Sequence, residues 1–564
     1  MQFTSDIAIV GLRILLMFYG IFIVYECFAS LRRQKRREKP LVTLFNETLK
    51  EKIPVLCWEN TIGRSKSSDI VIKDPTVSRS HCVLLRREEG WFVTDVGSKS
   101  GTRVNGKKVK ERHPVKLDDQ IKIGSTTLRL RRGDEYGKEV SHSWFFSKNS
   151  SKAAVPAPLL ILLMNLYHFF MAVEICVTYE SLRLDAFEVF LCMLLFSWVL
   201  FAVSRGAFHR LNFEIETLAL FMTGTGAMLL VSQHMMDARV QIIAAVAGAA
   251  LYMAILAFVR NPDGIVRWRT FIMAGAVLFL LINLAFGTIE YGAANRIYIG
   301  GVSIQPSEIV KIAYVAVGAS ALDHLQTKRN FLEFLIFSAV CVGALAIMGD
   351  FGTALIFFMT FIVISIIRSG DYKTAILAVV AAAFAGVLVL SFKPYIAERF
   401  ATWGHAMEDP YDKGYQQAGV LTYIASGGLF GTGVGSGILR YYGASETDLV
   451  FGIVAEEMGL IMALLLALVI FGLVIHSRGI ASRSRSTFYA ISACSAATLM
   501  VVQASLNIFG STDILPLTGV TLPFISAGGS SMISCWGLLA FIKAADERTY
   551  STSPLKAPKN KHSK

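Results

Sequence analysis

The sequence predicts a polytopic α-helical membrane protein that carries one soluble all-β insert. Three observations lead there. Of the 564 residues, 54% are hydrophobic and only 17% charged, with mean hydropathy +0.52, where a soluble chain carries roughly a quarter charged residues. The apolar residues fall in runs of about 20, the length that crosses a bilayer as a helix. Between residues 41 and 132 the pattern changes to short alternating segments, such as Asp69-Ile70-Val71-Ile72 and Trp91-Phe92-Val93-Thr94-Asp95-Val96, punctuated by Gly, Asn, Asp and Ser. Strands this short and this closely spaced build a small sandwich. A single large soluble enzyme, a disulfide-built secreted module and a disordered scaffold are excluded.

The first apolar run, 7–29, is followed by the basic stretch from Arg32 to Lys39. A signal peptide has its basic residues before the apolar stretch, so this run reads as an uncleaved anchor with its basic end in the cytoplasm. The β insert at 41–132 comes next, then a polar linker at 133–158. From Leu159 onward twelve candidate spans lie near 159–180, 185–204, 214–233, 240–259, 271–289, 308–323, 331–348, 351–368, 373–391, 451–475, 487–509 and 521–543. Weaving them from a cytoplasmic insert puts Arg205…Arg210, Arg260…Arg269, Lys328-Arg329, Arg368…Lys373, Arg478…Arg485 and the basic tail 546–564 on the inner side. That asymmetry sets the orientation. It also accounts for the net charge of +13, so no nucleic-acid partner is expected.

One connection is unlike the others. Residues 392–450 fall on the outer face and contain aromatics, a glycine-rich stretch from Gly427 to Gly437, and Glu446-Thr447-Asp448. Loops longer than about 15 residues are usually functional or disordered, and this one is too patterned for a spacer. The chemistry is expected there. The eight cysteines show no CxxC spacing and read as reduced packing residues. The ten histidines form no tight ligand pair, so no dedicated metal site is expected.

Within the insert, Gly63-Arg64, Ser78-Arg79-Ser80-His81, Ser98-Lys99-Ser100-Gly101-Thr102 and Val104-Asn105-Gly106 together resemble the forkhead-associated (FHA) domain. The resemblance implies a sandwich whose loops bind phosphothreonine peptides, with Arg64 and Ser78 on the phosphate, Arg79 adding charge at the rim and His81 bracing the loop. A guanidinium grips phosphate as a fork, and a hydroxyl and backbone amides complete such a site. Ser100 stands where the family usually has an asparagine that bonds the peptide backbone, and is the fourth phosphopeptide-binding position that the resemblance implies.

Polar residues in or beside membrane spans are costly unless paired, and so mark function. Three groups stand out: Gln305-Pro306-Ser307-Glu308 with Lys311, Gly349-Asp350-Phe351-Gly352-Thr353, and Glu446-Thr447-Asp448 running into Ala455-Glu456-Glu457-Met458-Gly459. Lys311 and Asp350 both lie near the outer ends of their spans, and a salt bridge between them is expected. Glu308 near a helix amino end is comfortable with or without a role in a cavity. Glu456 and Glu457 either line the same wet cavity or cap helix ends.

These groups, with Gly427-Gly428…Gly431…Gly433 and Pro516…Thr518-Gly519-Val520…Pro523-Phe524-Ile525-Ser526…Gly528-Gly529-Ser530-Ser531, look like the SEDS family of FtsW, RodA and SpoVE proteins, in order over 212–545. The resemblance implies a ten-helix core, with the spans at 159–204 and the first helix as additions. It implies a peptidoglycan glycosyltransferase of the bacterial cytoplasmic membrane, which extends glycan from undecaprenyl diphosphate onto the 4-hydroxyl of lipid II, with inversion, beside a class B penicillin-binding transpeptidase. Asp448 matches the family's proposed catalytic aspartate and is assigned general base. Gln305, Glu308, Lys311, Asp350 and Glu456 fall in substrate-binding or structural cavity positions. Arg296, Arg399 and Arg440 are candidates for the diphosphate or for interfacial anchoring. No cofactor is required by the resemblance; a divalent cation, magnesium or manganese, bound with the diphosphate is the candidate.

The chain departs from the family at Glu446, where a histidine is usual, at Asn295-Arg296, where an Arg-Trp pair is usual, and at Gly349, where proline is usual. An inactive scaffold docking a transpeptidase and phosphoproteins, or a lipid II flippase, remain the alternatives. The FHA resemblance implies a threonine-phosphorylated partner supplied by a Ser/Thr kinase pathway.

Overall fold

The computed structural model describes residues 2–33, 37–141, 155–321, 328–369 and 403–550, less a few positions within them, and Ile376, Val379 and Val380 besides. The insert is a sandwich. Its strands are β1 (Arg37–Glu38), β2 (Val42–Asn46), β3 (Glu51–Val55), β4 (Glu59–Gly63), β5 (Ile70–Val71), β6 (Cys82–Arg87), β7 (Gly90–Asp95), β8 (Thr102–Val104), β9 (Lys107–Lys108), β10 (His113–Val115), β11 (Gln120–Ile123), β12 (Thr126–Arg132) and β13 (Val140–Ser141). A five-stranded sheet of order β10-β7-β6-β4-β5 faces a six-stranded sheet of order β3-β2-β12-β11-β8-β9. The alternation read from the sequence is the reason. Along β12 the residues Thr126, Leu128 and Leu130 are buried while Thr127 and Arg129 are less so, and Leu44, Ile62, Leu84, Val93, Ile121 and Leu128 meet in the core.

The helices are α1 (Gln2–Arg33), α2 (Ala157–Thr178), α3 (Arg183–Phe208), α4 (Glu214–Val231), α5 (Met235–Val259), α6 (Pro262–Phe286), α7 (Pro306–Ala321), α8 (Lys328–Met348), α9 (Phe351–Ser369), α10 (Tyr415–Gly427), α11 (Val450–Glu457), α12 (Leu460–Ala481), α13 (Thr487–Ser511) and α14 (Gly529–Tyr550). Among the described residues nine are long and apolar enough to cross a membrane. α4 is the centre of the bundle, with every residue buried. Small residues let helices approach where apolar solvent gives no hydrophobic drive: a Cβ at Gly248 of α5 would meet Trp536 of α14 at 3.0 Å. Buried charges pair internally, as Lys543 does with Glu216 at 3.0 Å, the other Glu216 oxygen accepting from Tyr252 at 2.6 Å.

Several expected spans are redrawn. The run 451–475 is two helices, because Gly459 turns the chain at φ +90 and a Cβ there would collide with the Leu429 carbonyl. The run 521–543 becomes helical only at Gly529, since the preceding segment carries left-handed Gly519 and Phe524. Of the expected span at 373–391 only Ile376, Val379 and Val380 are among the described residues. Between α6 and α7 the chain folds an antiparallel sheet of β14 (Thr288–Glu290), β15 (Ala293–Ile299) and β16 (Val302–Ile304), which the apolar runs do not announce.

The sandwich rests on the bundle. Glu59, at the start of β4, accepts from Ser486 Oγ and from the Thr487 N–H, both at 3.2 Å, so its carboxylate caps the amino end of α13. Trp58 packs edge-on against Tyr489 with ring centroids 6.0 Å apart. Tyr489 in turn donates to the Val259 carbonyl at the end of α5 at 2.9 Å. The long loop lies at the opposite end of α13, where Trp403 Nε1 donates to the Ile514 carbonyl at 3.0 Å.

Candidate active site and phosphopeptide-type loops

In the sandwich, Gly63 brings two loops together. A Cβ there would overlap the Arg79 carbonyl, and the closeness lets Arg64 N–H donate to the Ser78 carbonyl at 2.9 Å and Ser65 N–H to that of Arg79 at 3.1 Å. His81 is fully buried. Its Nδ1 accepts from the Ser78 N–H at 3.1 Å and its Nε2 faces the Gly101 carbonyl at 3.4 Å, so it holds the loop as expected. Ser78 Oγ accepts from the Lys99 N–H at 3.0 Å. Arg64, Arg79 and Lys99 are exposed around it, a concentration of cations and hydroxyl suited to an anion; Lys99 is the member that the motif reading did not single out. Ser100 Oγ donates to the Thr76 carbonyl at 3.3 Å.

Two aspartates shape these loops. Asp74 accepts from the hydroxyls of Ser125, Thr76 and Thr126, which hold its carboxyl far below the usual range. Burial pushes the Asp95 carboxyl up, but bonds from the hydroxyls of Ser98 and Thr102 and the N–H groups of Ser98 and Gly97 outweigh it and bring the pKa to about 2.

In the bundle, the expected Lys311–Asp350 salt bridge is not formed. Lys311 Nζ donates instead to Glu308 Oε1 at 2.7 Å and to Gln503 Oε1 of α13 at 2.8 Å. Glu308 is three residues away on the same helix, the spacing at which side chains on one face meet. Asp350 is occupied otherwise: Oδ1 caps α9 through the Thr353 N–H at 3.0 Å, and Oδ2 accepts from Asn295 Nδ2 and Gln305 Nε2, each at 3.1 Å. Asn295, where the family usually carries arginine, therefore ties β15 to α9. Arg296 follows it on β15, half-buried, with its carbonyl accepting from Thr288 Oγ1 at 3.1 Å. Arg399 lies outside the described residues. Arg440 is bound to the end of α4 through the Ser232 carbonyl at 3.1 Å and lies over the Tyr441 ring.

Glu456 and Glu457 are buried and hold the glycine-rich stretch. Glu457 accepts from the N–H groups of Gly435 at 2.8 Å and Gly437 at 3.3 Å, and Glu456 from those of Ile438 at 2.7 Å and Leu439 at 3.0 Å. A Cβ at Gly437 would press on both carboxylates. Their role is to fold the loop.

Asp448 follows, half-buried, at the entry to α11. Its neighbourhood is fixed through the backbone: Ser526 Oγ donates to the Thr447 carbonyl at 2.6 Å, the Ala527 N–H to that of Glu446 at 2.9 Å, and Asn507 Nδ2 of α13 to that of Asp448 at 3.0 Å. Asn507 also donates to the Val520 carbonyl at 2.7 Å, and Gln503, one turn earlier, to that of Thr521 at 3.0 Å. Gly519, at φ +67, faces the Asp448 carboxylate, with an added Cβ placed 3.4 Å from Oδ2. Gln503 and Asn507 thus join the Glu308–Lys311 pair to the Asp448 turn. Sequence reasoning passed over both; buried amides four residues apart in an apolar span were the available signal. Among the described residues no three His, Cys, Asp or Glu side chains converge as a metal cage.

The fold and these two sites define a multi-pass membrane protein with a buried polar layer under a structured loop at one end and an all-β sandwich with a cationic loop cluster at the other. The family described as cell cycle protein, that of FtsW, RodA and SpoVE, matches residues 207–551, and the FHA domain matches residues 60–124. The chain belongs to the FtsW/RodA/SpoVE family and carries an FHA domain. It is 29% identical over 320 residues to the probable peptidoglycan glycosyltransferase FtsW of Bacillus subtilis (54% of this chain, 79% of that protein). It is also 29% identical over 308 residues to that of Coxiella burnetii (52% and 83%). A chain of a peptidoglycan synthase complex, solved for the coordination of polymerization and crosslinking, shares the fold at TM-score 0.51 and 21% identity, over 60% of this chain and 98% of that one.

Two outcomes are expected. A double-mutant cycle on thermal unfolding in detergent gives a coupling below about 0.5 kcal/mol for Lys311 with Asp350 and about 2 kcal/mol or more for Lys311 with Glu308. Because the folded pKa of Asp95 is depressed, its contribution to sandwich stability is complete above the ordinary aspartate range and is lost as pH falls through about 4 toward 2. Asp95→Asn flattens that acid limb, read by hydrogen exchange of the sandwich amides in the full chain.

Proposed function

We propose that the chain is a peptidoglycan polymerase that transfers a growing glycan from undecaprenyl diphosphate to the 4-hydroxyl of lipid II. The observation that carries this reading is the placement of Asp448: a half-buried carboxylate on a turn fixed at Thr447, Glu446 and its own carbonyl, beside a left-handed glycine. A carboxylate so held can take the proton of the acceptor hydroxyl as that oxygen attacks the anomeric carbon from the face opposite the leaving diphosphate, which gives inversion. The family membership and the named activity of the FtsW relatives support the assignment. A magnesium or manganese ion would enter bound to the diphosphate and neutralise its charge as it leaves. A class B penicillin-binding transpeptidase is the proposed partner on the loop side.

The sandwich adds a second, regulatory contact. Arg64, Ser78, Arg79 and Lys99 form the proposed phosphothreonine site, and a substrate of a Ser/Thr kinase is the proposed ligand. The basic connections after α5 and α12 lie at the sandwich end of the bundle, where Tyr489 reaches Arg260 and Ser486 reaches Glu59. By the positive-inside rule that end is cytoplasmic and the Asp448 loop extracytoplasmic.

With purified chain, its cognate transpeptidase and lipid II, the wild type forms glycan strands. Asp448→Ala lowers the rate by at least about a hundredfold, in the range of removing a general base, without changing the melting temperature. A folded, partnered wild type that makes no strands sinks the reading in favour of a scaffold. Separately, Arg64→Ala abolishes binding of phosphothreonine peptides in a calorimetric titration and leaves polymerisation intact; retained binding would move the phosphate site elsewhere.

A further inference from the structure

α1 and α2 precede the matched region 207–551, yet both reach the loop that leads to Asp448. Arg13 of α1 donates from Nε to Glu174 Oε1 of α2 at 3.0 Å, with the two side chains 18% and 2% exposed. The same guanidinium lies against Gly433, where a Cβ would overlap it and where φ +113 suits only glycine. At the carboxyl end of α2, Tyr179 donates to the Gly435 carbonyl at 2.9 Å and shares a hydrogen bond with Ser436 Oγ at 3.1 Å. A Cβ at Gly435 would press on the Tyr179 ring at 2.9 Å. Arg13, Glu174, Val434 and Glu457 line one small cavity.

The segment 433–439 is therefore gripped on two flanks, by Glu456 and Glu457 from the core and by Arg13 and Tyr179 from the added helices. It is not an isolated ornament. Ser445 Oγ donates to the Arg440 carbonyl at 3.0 Å, and Leu439 packs in one cluster with Leu449, which directly follows Asp448. A shift of the glycine segment is thus passed to the Asp448 turn through packed neighbours. A buried ion pair gains little net stability over an apolar replacement, so the contribution of Arg13 and Glu174 is a fixed geometry at Gly433.

We infer that Arg13, Glu174 and Tyr179 are positioning residues for glycosyl transfer, clamping the glycine-rich segment so that the turn bearing Asp448 is held toward Gly519. The inference rests on the glycosyltransferase reading above. It assigns to the added helices a function in turnover that membrane anchoring alone would not give them.

The test uses the full chain with its partner transpeptidase, comparing wild type, Tyr179→Phe, Arg13→Met and Arg13→Lys. Two readouts are taken: steady-state polymerisation of lipid II, and hydrogen exchange across residues 433–449, which needs no substrate. Tyr179→Phe and Arg13→Met are expected to lower kcat about tenfold with KM within about twofold and an unchanged melting temperature, since small misplacements of a reacting group are expensive. Their loop amides exchange about tenfold faster, and Arg13→Lys recovers most of the lost kcat. Wild-type exchange and kcat in both Tyr179→Phe and Arg13→Met overturn the inference while the glycosyltransferase reading stands. So does a loss of turnover seen only with a lowered melting temperature. A wild type that makes no glycan removes the reading itself, and the inference with it.

Discussion

Two amides on α13 hold the loop end of this protein together. Gln503 and Asn507 lie one turn apart in a span that must satisfy every polar group internally, because the surrounding hydrocarbon offers no substitute partner. Gln503 accepts the ammonium of Lys311 and donates to Thr521; Asn507 donates to the carbonyls of Asp448 and Val520. Through them α7, the irregular segment before α14 and the entry to α11 are fixed to one helix. Without these donors two carbonyl-rich stretches would sit beside the membrane core unpaired, at a cost of several kcal/mol each. The local fold around Asp448 follows from that requirement.

The glycine-rich loop obeys a related constraint in a different way. Its backbone turns so tightly that successive N–H groups point inward, and two adjacent carboxylates from a short helix collect them. Glycine is demanded by the approach of the carboxylates themselves, as at Gly437. Glu456 and Glu457 are thereby spent on structure; Glu446 and Asp448 of the same loop are half-buried, and Asp448 lies beside the left-handed Gly519.

What the sequence made legible divides along physical lines. The sandwich, its loops and the bracing role of His81 were readable because FHA motifs are local and strand alternation exposes the core face directly. The spans were readable from apolar length, and the motif order marked the position of Asp448, whose part in the chemistry is the proposal made above. The partner of Lys311 was not, because depth in a membrane constrains two charges less than the rotation of their helices, and Asp350 had already been claimed by the α9 cap, Asn295 and Gln305. The three-residue spacing of Glu308 and Lys311 was visible all along and outranked the longer-range pairing. The break at Gly459 and the sheet between α6 and α7 depend on contacts with segments distant in sequence, which no apolar run encodes. The contacts of α1 and α2 with the loop are of the same kind.

The seat of the sandwich on α13 has a consequence for any protein captured by it. A domain on a slack tether spreads its ligand through a volume set by the tether's length, and the effective concentration at any one target is diluted accordingly. Here Glu59 and Trp58 fasten one end of β4 to the bundle, and Arg64 follows its other end, about 17 Å from Glu59 at strand rise. Under the phosphothreonine site proposed above, a bound phosphoprotein would be presented at one height and one bearing beneath the helices. Local concentration becomes steeply directional: high for a surface that faces the bundle in that pose, and close to zero for one that does not.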